Sequence, residues 1–152
     1  MAVSSAITGC FRAYDFRVYE PSTPLLGAIV NRDRKSVAVL IGTEKNLNEP
    51  IDQGATVLFA AILAGDTETV RLLLDAGADP NFVAAEPAAT IYAQNPLDLA
   101  LTARALMNWD VYHPIVLLLH RYGATDIDGN PERFDDLEQI ERRCRERQSR
   151  AN

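Results

Sequence analysis

Residues 54–81 read GATVLFAAILAGDTETVRLLLDAGADPN, and the fold turns on how that stretch is parsed. Thr56 has a side-chain oxygen that can accept a bond from a free first-turn amide, so it opens a helix over Val57-Leu58-Phe59-Ala60-Ala61. Asp66 can cap a second helix in the same way, and Val70, Leu73 and Leu74 then fall at 0, 3 and 4 on one apolar face. Gly77 ends that helix by supplying a left-handed conformation, and Asp79-Pro80-Asn81 carries turn chemistry. A pair of short helices buries too little apolar surface to stand alone. It becomes stable by stacking on further copies of itself.

The copies are present. Thr23-Pro24-Leu25-Leu26-Gly27-Ala28 returns 33 positions later as Thr56-Val57-Leu58-Phe59-Ala60-Ala61. The same offset relates Asp33 to Asp66, Val37 to Val70, Leu40 to Leu73, Ile41 to Leu74 and Asn48 to Asn81. A third copy starts at Asn95-Pro96-Leu97-Asp98-Leu99-Ala100, resumes at Val116-Leu117-Leu118-Leu119 and ends at Gly123-Ala124. Pro24 and Pro96 occupy the first helical position, where a missing N–H is harmless. The third copy begins 39 rather than 33 residues after the second, and Leu97 to Val116 spans 19 positions where Leu58 to Val70 spans 12. Six residues are therefore added before it and seven inside it.

On these residues the chain resembles the ankyrin-repeat family, whose pattern is Gly-x-Thr-Pro-Leu, paired alanines, Gly-Asp or Gly-Asn, Val-x-x-Leu-Leu and Gly-Ala-Asp. The resemblance covers about residues 22–130. The family's usual histidine after Pro-Leu is replaced by Leu26, Phe59 and Asp98, and Glu44 stands where the first copy's turn glycine belongs. The resemblance implies an all-α solenoid of about three helix-turn-helix repeats with capped ends, in a single domain. Its expected divisions are an N-terminal cap at 1–21, repeats at 22–54 and 55–81, an inserted loop at 82–94, a third repeat at 95–129 and a capping helix at 130–152. Phe11 to Tyr19 reads equally as an alternating strand or a helical cap. Asn130 and Pro131 open the last helix, with Phe134, Leu137, Ile140 and Cys144 on one face.

Composition agrees with a globular chain that binds protein rather than nucleic acid. Of 152 residues 47% are hydrophobic and 24% charged, and the net charge is −6. Residues 131–152 carry six acids and six bases, so the whole excess belongs to the body. Phosphate binding needs a basic face, whereas this field attracts basic proteins. The arginines of 142–150 match the dipole of the last helix. No apolar run approaches a membrane span, and Met1 to Thr8 lacks a leader pattern, so the expected place is the cytoplasm with Cys10 and Cys144 reduced.

Chemistry is not announced. His113 and His120 are too few for a metal site, no serine or cysteine has an activating neighbour, and no phosphate-binding glycine loop occurs. We expect no cofactor, no metal and no catalysis. The family resemblance implies a binding face on the concave side, formed by the projecting loops and the first helix of each unit. The candidate partner-binding residues are Asn48, Glu49, Asp52, Asp79, Asn81, Phe82, Glu86, Ile91, Tyr92, Asn95, Trp109 and Tyr112. The inserted loop FVAAEPAATIYAQ either folds back on the solenoid or meets a partner. The second insertion, Arg104 to His113, either extends the third helix and packs Trp109 on the core or presents Met107, Trp109 and Tyr112 as binding anchors. The expected function is a monomeric protein-binding module for a basic protein, as an inhibitor or immunity-type protein of an enzyme. An adaptor joining two partners is the alternative, and a metal-dependent enzyme a more distant one.

Overall fold

The computed structural model of the protein describes residues 21–51, 55–84 and 95–125. Among them six helices form three antiparallel pairs, with no strand. They are α1 (Pro24–Val30), α2 (Arg34–Ile41), α3 (Val57–Ala64), α4 (Thr67–Asp75), α5 (Pro96–Leu106) and α6 (Trp109–Arg121). The expected cap helix after Asn130 and the ambiguous stretch Phe11 to Tyr19 lie outside the described residues.

Local chemistry starts most of these helices. The side chains of Thr23, Asp33, Asp66 and Asn95 accept from the amides of Leu26, Ser36, Thr69 and Asp98, each three residues on. Thr56 is the exception. It sits at the N-cap in extended conformation, yet its buried hydroxyl makes no capping bond and has no partner among the described residues. At the other ends, Ala78 donates to Leu73 O at 2.9 Å and Ala124 to Leu119 O at 3.0 Å, closing the last turns around Gly77 (φ +96°) and Gly123 (φ +79°).

The pairs stack in two layers. First helices α1, α3 and α5 pack side by side, second helices α2, α4 and α6 form the other layer, and each pair packs internally. One core runs through all three, from Leu25 and Ile29 through Leu58, Ile62, Val70 and Leu73 to Leu97, Ile115, Val116 and Leu119. Helix α3 has no polar face, and Val57 through Ile62 are all buried.

The seven residues inside the third copy became helix. Helices α5 and α6 have 11 and 13 residues where α3 and α4 have 8 and 9, and the connection remains two residues in both pairs. The second helix begins at Trp109, five residues before Pro114. Asn108 caps it by accepting from the amides of Asp110 and Val111, and Pro114 lies inside the helix with His113 before it. Each helix gains about one turn, roughly 5 Å of length. The third pair therefore overhangs the second: the Tyr112 hydroxyl donates to Leu63 O at 3.0 Å, and a Cβ on Gly65 would lie 2.7 Å from Val111 Cγ1.

Candidate functional site

The stack has two long edges. Along one, the loops between repeats project as fingers; along the other lie the tight turns joining the two helices of each pair.

The finger edge is laced by asparagines one repeat apart. Asn48 Oδ1 accepts from the Asp79 amide at 2.7 Å while its Nδ2 donates to Gly77 O at 3.4 Å. Asn81, 33 residues on, repeats the pattern: Oδ1 accepts from the Thr125 amide at 2.8 Å, and Nδ2 donates to Gly123 O at 2.9 Å. Asp79 Oδ1 accepts from the Asn81 amide at 2.8 Å and shapes the finger tip. In the first finger the Ile51 amide donates to Ala55 O at 2.7 Å across the tip. Beneath that finger is a cleft of about 490 Å³ lined by Thr23, Leu25, Glu44, Leu47, Glu49 and Ile51. Its lining is mixed, apolar at Leu25, Leu47 and Ile51 and acidic at Glu44 and Glu49.

Several expected partner-binding residues have other duties here. Asn48 and Asn81 spend their amides between fingers, so they order the edge and contribute to recognition only through that order. Asn95 is 2% exposed, caps α5 and donates from Nδ2 to Thr125 O at 3.2 Å, which removes it from the free surface. Phe82 is half-buried against the core, leaving Val83 exposed beside it. Glu49 and Asp79 remain exposed. Asp52, Glu86, Ile91 and Tyr92 lie outside the described residues. The first-helix contribution also narrows, because Val57 through Ile62 of α3 are buried.

Trp109 and Tyr112 belong to the opposite edge, so the twelve residues do not form one surface. Tyr112 is core, 4% exposed, with burial raising its phenol above the ordinary value of 10.0. Trp109 is 41% exposed, neither packed on the core nor fully free. The Arg104 guanidinium carbon lies 4.2 Å from its ring centroid, and His113 stacks at 5.1 Å and 14°. Arg104 was not among the expected binding residues; its place at the start of the second insertion was the only available signal.

The turn edge is also tied across repeats. Arg34 grips the buried Asp66 carboxylate through Nε (3.0 Å to Oδ2) and Nη2 (2.8 Å to Oδ1), while Thr69 Oγ1 donates to Oδ2 at 3.0 Å. Burial acts to raise the Asp66 pKa, but the Arg34 and Thr69 bonds outweigh it and hold the carboxyl below 3.8. Arg32, at φ +56° where the next repeat has Gly65, donates from Nη2 to Ala64 O at the end of α3. A cation there complements the helix dipole.

No group of three or more His, Cys, Asp or Glu able to hold a metal ion occurs among the described residues, and none of their helices is long and apolar enough to cross a membrane. The arrangement is that of a helix-pair repeat solenoid. The family model described as ankyrin repeats (3 copies) matches residues 10–84, so the chain carries ankyrin repeats through that stretch. The match stops before α5, leaving the lengthened third pair beyond it. No curated protein and no solved structure matches the chain. Ankyrin repeats generally mediate protein–protein interaction and are typically non-catalytic.

Proposed function

We propose that the chain is a non-catalytic module, monomeric when free and cytoplasmic, that binds a basic protein through its finger edge. One observation carries the reading: the lining of the cleft beneath the first finger joins apolar Leu25, Leu47 and Ile51 to the carboxylates of Glu44 and Glu49. An arginine or lysine from a partner fits that chemistry, its aliphatic stem along the apolar residues and its charge beside the acids. Exposed Asp79 extends the acidic row to the second finger, and Lys45 is the cation within the first loop. The asparagine bridges hold adjacent fingers in order before any partner arrives, which lowers the entropy lost on binding. Covering a basic site of an enzyme in this way makes the module an inhibitor or immunity-type protein.

The test is cross-linking in the native source, identification of the captured protein, and titration of the purified pair. Binding is expected to weaken as salt rises, and Glu44→Lys with Glu49→Lys to lower affinity about tenfold or more, mainly through loss of charge complementarity. An affinity indifferent to both salt and charge reversal overturns the reading. A second reading, an adaptor joining two partners, is favoured by the different chemistry of the turn edge.

A further inference from the structure

The overhanging tip of the third pair joins three exposed apolar side chains, Met107 (46% exposed), Trp109 (41%) and Val111 (37%). The other two pairs have nothing comparable at this edge, where the corresponding turns are Asn31-Arg32-Asp33 and Gly65-Asp66. The tip exists because the seven residues inserted within the third copy went into helix. Arg104 and His113 organise it: besides its contact with the indole, Arg104 Nη1 lies 3.4 Å from His113 Nδ1. That separation is too short to reach across the thickness of the ring. Cation and imidazole therefore share one face of Trp109, whose side chain stays 41% exposed at the tip.

The charge at this tip is incompletely answered among the described residues. Arg104 forms no ion pair among the described residues, its Nε is buried without a hydrogen-bond partner there, and burial pushes its pKa down from 12.5. Asp110 occupies the first turn of α6, where it complements the helix N-terminus. Arg32, close enough to act electrostatically on Tyr112, is a second cation on the flank. Asp33 and Asp66 on this edge are engaged by Ser36 and by Arg34 with Thr69, and Glu68 by Arg71. An apolar ledge with arginines on its flanks is complementary to a peptide that sets a carboxylate beside a large apolar side chain. A guanidinium already partly stripped of water gives such a carboxylate a stronger bond than a hydrated one.

We propose that Met107, Trp109 and Val111, with Arg104, form a second docking site, distinct from the finger edge, for a partner segment presenting an acidic residue next to an aromatic or aliphatic one. The site does not depend on the finger reading, and together the two edges make the chain a bridge between a basic and an acidic-apolar partner.

The sole tryptophan makes the site directly observable. In the full chain, iodide is expected to quench Trp109 fluorescence about twofold more effectively than caesium, because nearby cations concentrate the anion. A random-peptide display library is then panned on the immobilised chain with counter-selection on Trp109→Ala. Enriched peptides are expected to carry Asp or Glu within about three positions of Phe, Tyr, Trp, Leu or Ile, and to perturb Trp109 emission. Their affinity is expected to fall about tenfold in Arg104→Gln and to stay unchanged in Glu44→Lys, with circular dichroism confirming the fold of each variant. Recovery of no peptide, enrichment of basic or charge-free peptides, or indifference to Arg104→Gln overturns the proposal. So does a dimer in sedimentation that Trp109→Ala dissolves, which makes the ledge a self-contact. Quenching and Arg104→Gln decide the matter even if the alanine variant fails to fold.

Discussion

The two edges of the solenoid are built on opposite principles. The finger edge is periodic: Asn48 and Asn81 stand one repeat apart and make the same pair of bonds to the next finger, at Gly77 and Asp79 and then at Gly123 and Thr125. The turn edge uses a different device at each junction. Arginines reach from the first pair to Ala64 and Asp66, while the overhang of the third pair meets Leu63 and Gly65. Periodic bonding yields a regular row whose members share the load. Junction-specific bonding concentrates it in a few positions and leaves the tip free to present new side chains.

That contrast makes single substitutions unequal. Gly65→Val is expected to be the most damaging, about 3 kcal/mol, since it combines left-handed strain at φ +65° with a clash against Val111; thermal denaturation reads it. An effect no larger than that of a surface change would mean that the overhang does not rest on the second pair. Next comes Asp66→Ala, about 2 kcal/mol, through loss of the α4 cap and the Arg34 bonds. The same carboxylate carries a pH dependence. Its folded pKa is depressed, so its contribution is complete above the unfolded value near 3.8 and is lost as pH falls through the lower folded value. Asp66→Asn is expected to flatten that part of the acid limb in urea titrations.

At the finger edge the effects are smaller. Gly77→Val is expected to cost about 1.5 kcal/mol by strain alone, because φ is +96° but nothing lies within 4 Å of a new Cβ. A loss equal to that of Gly65→Val would erase the distinction between the edges. Asn48→Ala and Asn81→Ala are each expected to cost about 1 kcal/mol and to speed amide exchange at Asp79 and Thr125 respectively. Least of all for stability is Trp109→Ala, expected at about 0.5 kcal/mol, since the ring is already 41% exposed. A loss of several kcal/mol would return Trp109 to the core.

The same contrast explains what was legible beforehand. Caps at Thr23, Asp33, Asp66 and Asn95 act on amides three residues away, and such short-range bonds can be read along a chain. So can a core that repeats: Val37 and Val70 are both fully buried. The candidate site was less legible. Asn48 and Asn81 looked available because nothing nearby in sequence occupies them; their partners lie 29 to 44 positions away. Tyr112 looked like a binding anchor until its hydroxyl was found on Leu63 O, 49 positions away.

The amino-acid order by itself determined the helix pairs, their period and their polarity, because caps, terminating glycines and apolar spacing act within one or two turns. Only the stacked structure decided which edge each side chain serves, that the seven added residues lengthen helices, and that Arg104 and His113 share one face of Trp109. The physical reason is distance along the chain. Bonds between neighbouring repeats, and the burial of α3 on every side, depend on which surfaces meet after stacking, and no local pattern records that meeting.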